Sequence, residues 1–597
     1  MKIIDGARCF QAMVPMRDGV RLNTFVFLPL QQEPPYPVIL QRTPYGITLS
    51  GEADFKDCEK GWLPDPQAPL RGSLLRGWRE IVRRGYAAVY QDTRGRYGSE
   101  GEDRVYCDDA FDGYDTVDWI STEPWSNNCV GVSGSSAGAT TALAAASQGH
   151  PSVRAFFAQA GGSSIYDDVV YEGQSIQMER LWLWVAGNIP GLSTSHRQAI
   201  MRRTGLTEKD LARSSREALN RFERLDAAKR AEPPFVDSEA WTRLPLIGYP
   251  DFTTLQPFLN EILCHPTPDR FREAHNFRAT INVPGFHVTS WFDIFQTSVI
   301  KAFLEIELRA GNQRLWVGPN AHYFVYDRHF WPRDPYFEWF GYWLKGLPAP
   351  FLDEPQVFYS PRSWIDEIET YEARDWLHAD QWPPRGTVQS RLHLTKDGGL
   401  GPVAGAVGWR GFTYDPERPV PTCGGRNMLI RNGPCDQRTV QGLSYYGLMY
   451  IGEELTDGLH LVGSVYVNLH VRSDCPDTDF VAKLIEVLPD GQTLLLMDGI
   501  TRAMYADTMT VPRPLEPGKI YPVEVYLGEI SHICRVGSRL QVDVTSSNFP
   551  RHVRNTNSGN EFLAKDRYED IRVAFNEIHH GGDSPSTLVF STLTGES

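Results

Sequence analysis

The chain has 597 residues, 41% hydrophobic and 22% charged, with a formal net charge of −15. This length exceeds what one hydrophobic core organises, so roughly two to four domains are expected. The acidic balance argues against nucleic acid, whose phosphates need a basic surface, and no apolar run approaches the roughly 18 residues of a membrane span.

The N-terminal residues Met-Lys-Ile-Ile-Asp-Gly-Ala-Arg show no charged segment followed by an apolar one, so no leader is expected. The nine cysteines are scattered, with no Cys-x-x-Cys pair, as suits reduced thiols in a cytoplasmic protein. Residues 14–22, 24–28 and 37–41 read as strands punctuated by Asp-Gly and Pro, and the third opens into the loop Arg42-Thr-Pro-Tyr45-Gly46. Residues 78–84 read as a helix ended by Gly85, and 86–91 as a buried strand that opens into Asp92-Thr-Arg-Gly95. A helix over 110–120 leads to the apolar run before Gly134-Ser-Ser-Ala-Gly138, and an Ala-rich, helix-favouring run follows it. Gly-x-Ser-x-Gly between a strand and a helix is the setting of a nucleophile elbow, so Ser136 is the candidate nucleophile. Strands alternating with helices predict a largely parallel sheet covered on both faces.

Residues 162–277 are helix-rich. Thr207-Glu-Lys-Asp210 reads as a capping box, Leu211, Leu219, Phe222 and Leu225 recur at helical spacing, and Leu181-Trp-Leu-Trp184 adds bulky apolar surface. An insertion at this place reads as a lid beside the site or as an ordinary helical subdomain. Strand patterns resume at Ile281-Asn-Val-Pro-Gly-Phe-His-Val-Thr-Ser-Trp-Phe-Asp293 and at 314–318, which ends in Pro-Asn-Ala-His322. Beyond the Pro348-Ala-Pro350 linker the period becomes two, as in Val465, Val467, Leu469 and Val471, and in Leu540, Val542 and Val544. The expected segments are 1–161 and 278–350 for a hydrolase sheet, 162–277 for the helical insertion and 351–597 for an all-β module.

A serine hydroxyl needs a base to take its proton and an acid to orient that base. Ser136, Asp293 and His322 come in the order Ser-Asp-His, each just past an apolar strand, where parallel sheets place their sites. His287 reads as a buried strand histidine, and Asp92 and Arg94 as residues that hold loops near the site. Asp474, Asp477 and Asp479 lack the spacing of a calcium loop and read as a solvated turn. His579-His580 has no partners at zinc spacing.

The chain resembles the cocaine-esterase-like serine hydrolases, which group with X-prolyl dipeptidyl peptidases and α-amino-acid ester hydrolases. In the first half the matching motifs are Arg42-Thr-Pro-Tyr45, Gln91-Asp-Thr-Arg-Gly95 with Ser99-Glu-Gly101, Gly134-x-Ser-x-Gly138, Ser290-Trp-Phe-Asp293 and Val317-Gly-Pro-Asn-Ala-His322. In the second half they are Gly433-Pro-Cys-Asp-Gln-Arg438, Pro476-Asp-Thr-Asp-Phe480, Asp498-Gly-Ile-Thr-Arg502 and Ser546-Ser-Asn-Phe-Pro-Arg551. The resemblance implies an α/β-hydrolase fold with a helical cap and a C-terminal jelly roll. It implies the triad Ser136, Asp293 and His322, with the Tyr45 phenol and the Ala137 N–H as the oxyanion hole. Many relatives carry an aromatic residue where this chain has Ala137. The α-amino-acid ester hydrolases carry acidic residues, which grip a substrate ammonium, where this chain has Phe295 and Gln296.

The expected activity is hydrolysis of an ester with a small uncharged or aromatic acyl group, with Trp291, Phe292 and Phe295 as candidate pocket residues. An amidase, peptidase or acyltransferase on the same triad is the alternative, and a vestigial hydrolase acting as a binding protein is the third reading. No metal or organic cofactor is expected. The expected partner is a small-molecule ester, without nucleic acid or membrane, and self-association is compatible with the sequence.

Overall fold

The N-terminal β-rich runs pair as an antiparallel meander of β1 (Lys2–Ile4), β2 (Ala7–Pro15) and β3 (Arg21–Pro29). The structure, a computed structural model, describes residues 2–4, 6–47, 75–228, 239–322, 334–362, 376–428 and 430–593. After the meander come β4 (Tyr36–Thr43), β5 (Ala87–Asp92), β6 (Ser126–Ser135) and β7 (Val153–Gln159). A short ribbon follows, β8 (Tyr171–Glu172) with β9 (Ser175–Ile176). The sheet then resumes with β10 (Gly285–Phe292), β11 (Gln313–Ala321), β12 (Val357–Tyr359) and β13 (Leu377–Ala379).

The order across this sheet is β1-β2-β3-β5-β4-β6-β7-β10-β11-β12-β13. Every pair from β5 to β12 is parallel, and antiparallel pairs close both edges. Alternation along each strand divides the apolar residues between two faces. Ile39 and Ala88 pack with Trp78, Ile81, Trp339 and Phe340 on one side. Val38, Leu40 and Val89 pack with Val117, Ile120, Leu143 and Ile306 on the other. Helices therefore cover both faces, as in an α/β-hydrolase fold.

The insertion is helical, with helices at Met178–Asn188, Thr194–Thr204 and Glu208–Ala228 among others. The capping box forms: the Asp210 N–H donates to Thr207 Oγ1 at 3.2 Å and the Thr207 N–H to Asp210 Oδ2 at 3.2 Å. Leu211 is buried with Ile189, Ile200 and Leu255, whereas the side chains of Leu219, Phe222 and Leu225 lie outside those described. No helix among the described residues is long and apolar enough to cross a membrane.

The C-terminal part is an all-β jelly roll whose first strand is Thr387–Leu394. Its alternating strand Leu459–Ser473 buries Val465, Val467, Leu469 and Val471, together with Leu540, Val542 and Val544 of the strand Arg539–Thr545. The segment expected from 351 onward thus begins with two strands of the first sheet. β12 pairs with β11, and β13 turns back on β12, before the jelly roll starts.

Two readings of polar residues change. Asp477 and Asp479 are fully buried rather than in a solvated turn, because both have partners distant in the chain. Asp477 accepts from Arg502 Nε at 2.7 Å; Asp479 accepts from Asn555 Nδ2 at 2.8 Å and Ser175 Oγ at 3.0 Å. Only Asp474 of the three is exposed. His579 and His580 contact Glu577 and Tyr450.

Candidate active site

The strand β6 delivers Ser136 at its carboxyl end, and the helix Ala137–Ser147 leaves directly from it. So sharp a reversal forces Ser136 to φ 52° and ψ −124°, a conformation that costs a non-glycine residue about 1–3 kcal/mol. Gly134 makes the turn sterically possible. A Cβ there would sit 2.2 Å from the carbonyl carbon and oxygen of Gly138, a backbone clash that no side-chain rotation relieves. The turn is held by the Ser136 N–H donating to the Gln159 carbonyl at 2.8 Å.

Asp293 and His322 each follow their strand by one residue, on the adjacent parallel strands β10 and β11. Ser136 Oγ lies 2.9 Å from His322 Nε2, and His322 Nδ1 lies 2.6 Å from Asp293 Oδ1. The Asp293 carboxylate is fully buried and takes two further donors, Thr289 Oγ1 at 2.7 Å and the Phe295 N–H at 3.2 Å. A carboxylate only accepts, so the His322 proton sits on Nδ1 and Nε2 is left to accept from the serine hydroxyl.

Tyr45 follows β4, which neighbours β6 in the sheet. Its loop is tied on three sides. The Tyr45 N–H donates to Thr43 Oγ1 at 3.1 Å, Arg96 Nε donates to the Pro44 carbonyl at 2.9 Å, and the Ile47 N–H donates to Asp92 Oδ1 at 2.9 Å. Burial pushes the Asp92 carboxyl up to about 6, against the pull of Asn23 and the backbone donors. Arg94 pairs with Asp112 and Asp18, each at 2.6 Å.

The Tyr45 hydroxyl accepts from Trp184 Nε1 at 2.7 Å, and Ser136 is near enough to bear on its ionisation. Burial raises the phenol above its ordinary value, with those two neighbours opposing, so it remains a neutral O–H donor. Ala137 opens its helix, and its N–H is among the first-turn donors that lack an intrahelical acceptor. A hydroxyl, a base, its orienting acid and two donors at one strand edge can form and hydrolyse an acyl-enzyme.

Residues 18–324 match the family model for X-Pro dipeptidyl-peptidase (S15 family), and residues 352–589 match that for the X-Pro dipeptidyl-peptidase C-terminal non-catalytic domain. The chain belongs to the S15 family. It is a serine hydrolase. It is 30% identical to cocaine esterase of Rhodococcus sp. (strain MB1 Bresler), over 97% of this chain and 98% of that protein. An α-amino acid ester hydrolase structure superposes with a TM-score of 0.74 at 22% identity, over 99% of this chain and 98% of that one. An aminopeptidase from a marine sediment Thaumarchaeota archaeon gives 0.72 at 22% identity, over 99% and 97%.

Of the three aromatic residues expected in the pocket of this S15-family chain, only Phe295 meets the triad, edge-on to the His322 ring at 5.8 Å. Trp291 donates to the Ser360 carbonyl at 2.6 Å and packs on Trp382, while Phe292 lies under the Arg362 guanidinium at 4.5 Å. An irregularity in the β10–β11 register between Ser290 and Phe292 accompanies this divergence. Gln296 is fully buried and committed to the jelly roll, donating to the Glu529 carbonyl at 2.6 Å and accepting from Arg426 at 3.1 Å. Ala137 is buried in the same apolar cluster as Tyr106, Ile165 and Phe295. His287 is buried against Gln313 at 3.0 Å, with burial pulling it down to about 4.

The insertion contributes two residues to the site: Arg180, which the sequence did not point to, and Trp184, which it offered only as bulky apolar surface. Arg180 and Trp184 stand one turn apart on the helix Met178–Asn188 and so share a face. Arg180 donates to the carbonyls of Asp168, Val169 and Ile294, at 2.6, 3.1 and 3.1 Å, and stacks over Phe295 at 4.9 Å. The signals in the sequence are that spacing and the bulky apolar run that ends at Trp184.

Among the described residues, Glu486, His532 and Cys534 bring ligand-type atoms within 4.8 Å of one another, inside the jelly roll. His532 Nε2 is engaged with Glu486 at 2.7 Å, and burial raises the Cys534 thiol well above its ordinary range, which disfavours the thiolate a metal would need.

Proposed function

We propose that this chain is a serine esterase that cleaves esters of uncharged or aromatic carboxylic acids through an acyl-enzyme on Ser136. The observation that carries the reading is the continuous chain Ser136 Oγ, His322 Nε2, His322 Nδ1, Asp293 Oδ1, at 2.9 and 2.6 Å. His322 takes the serine proton as Oγ bonds to the ester carbonyl carbon, and the carbonyl oxygen gains the charge that the Tyr45 O–H and Ala137 N–H hold. The intermediate collapses, the alkoxide leaves with the proton from His322, and the acyl group stays on Ser136. Water then attacks, again through His322, and releases the acid. Asp293 keeps the imidazole in one tautomer and balances its transient charge.

The uncharged acyl group is supported by Phe295 and Gln296. One places an apolar ring against the base and the other is spent on Glu529 and Arg426, so neither supplies an anion for a substrate ammonium. The similarity to a cocaine esterase points to esters, whereas the family's peptidase name favours an amide reading. A panel of aryl and alkyl esters, the matching amides and an added acceptor alcohol separates these activities. Ester turnover by the wild type, absent in Ser136→Ala, supports the proposal. Turnover of the amides alone, acyl transfer without hydrolysis, or no turnover of any substrate contradicts it.

A further inference from the structure

The indole N–H of Trp184 can donate a hydrogen bond but cannot accept one. It lies 2.7 Å from the Tyr45 hydroxyl, so it occupies a lone pair of the phenol oxygen and leaves the phenol proton pointing elsewhere. Ser136 is near enough to that hydroxyl to bear on its ionisation, and its Oγ contacts His322 Nε2 at 2.9 Å. With His322 Nδ1 protonated against Asp293, each donor in this series has one direction to point. The indole donates to Tyr45, Ser136 to His322, and His322 to Asp293, while the phenol proton is left to point away from the indole.

Trp184 is itself fixed. Its ring stacks on Tyr106 at 5.4 Å with 21° between the planes, and its carbonyl accepts from Asn188 Nδ2 at 2.6 Å. One turn earlier, Arg180 anchors the same helix to the Ile294 carbonyl, next to Asp293 in the chain. The helix thus braces the site at two points, the acid's turn and the oxyanion phenol.

We infer that Trp184 is a positioning residue for the oxyanion hole: its N–H orients the Tyr45 hydroxyl so that the phenol proton faces the developing oxyanion. This rests on the reading of Tyr45 as an oxyanion donor. It gives the helical insertion a part in the chemical step and not only in covering the site.

The test is a double-mutant cycle with ester hydrolysis as the readout. Trp184→Phe keeps a ring against Tyr106 and removes the N–H. Placing 3-benzothienylalanine at position 184 keeps the indole's shape with sulfur in place of the N–H, which covers the case in which the phenylalanine variant folds poorly. Each is expected to lower kcat roughly 5- to 20-fold, the size of one lost hydrogen bond in a preorganised site, with KM changed less than about twofold. In a Tyr45→Phe background, which lacks the hydroxyl to be oriented, the same replacements are expected to change kcat less than about twofold. An equal loss in both backgrounds, or no loss in either, overturns the inference while leaving Tyr45 in its role. If Tyr45→Phe alone leaves kcat unchanged, the oxyanion reading falls and the inference falls with it.

Discussion

Asp293 shows how much of the site is set by single atoms. Its Oδ1 accepts from both His322 Nδ1 and the Phe295 N–H, and its Oδ2 from Thr289. In Asp293→Asn the amide oxygen can keep the Oδ1 position, with the Thr289 hydroxyl turning to accept from the new NH2. The tautomer then survives but the negative charge opposite the imidazolium is lost. The variant is expected to fold normally and to lose on the order of 10²–10⁴-fold in kcat, measured with any ester that the wild type turns over. A loss below about tenfold contradicts the role given to Asp293. Ser136, Asp293 and His322 were legible in the sequence because each ends an apolar strand and their order suits the fold. That Trp291 packs on Trp382 and Phe292 under Arg362 was not legible, because where a ring points at an irregular strand end depends on its neighbours. Trp184 was invisible as a partner of Tyr45, since 139 positions separate them.

Among the elements, the elbow and the insertion's helix position the site. The helix Ala137–Ser147 is buried along its whole length, and its small residues let it lie close to the sheet and to the helix Asp109–Thr122. The Ala-rich run was therefore readable as a helix, and Gly134 as a residue that must stay small. A methyl at Gly134 meets Gly138 backbone at 2.2 Å, so Gly134→Ala is expected to shift the elbow. Destabilisation of about 1–3 kcal/mol, together with loss of most activity, is the expected outcome by thermal unfolding and ester assay. Full activity in this variant contradicts the tight turn. The insertion's helicity was legible from its periodicity, whereas its reach into the site was not. Arg180 and Trp184 find their partners only once β4 and β10 are folded beside them.

At the scale of the whole molecule, the jelly roll grips the segment that leads into the bracing helix. Glu172 of β8 lies 2.9 Å from both Arg426 and Arg551. Burial works against its charge, but Arg551, Arg426 and His552 outweigh that and hold the carboxyl well below the usual range. Glu179, near the start of the bracing helix, accepts from the Ile430 N–H at 2.9 Å. Ser175 of β9 reaches Asp479 across the same seam. These contacts were illegible because each joins residues hundreds of positions apart, although the two-part architecture itself followed from the change of period beyond 350.

Asp479 gives the seam a pH dependence. Burial, with Asp477 alongside, pushes its carboxyl up to about 7 from an ordinary 3.8. Between those values the folded protein holds a proton that the unfolded chain has released, so this residue's contribution to stability falls as pH rises through the window. Asp479→Asn does not titrate. Its Tm relative to wild type is expected to rise between about pH 4 and about pH 8, and a constant difference contradicts the raised value.

The proposed chemistry requires Ser136 to be the activated nucleophile of the S15-family site. Its most direct test is labelling of the folded protein with a fluorophosphonate, followed by peptide mapping. A single phosphonylated serine, Ser136, is expected, with labelling abolished in Ser136→Ala and strongly slowed in His322→Ala. A correctly folded protein that stays unlabelled, or one labelled at another serine, contradicts it.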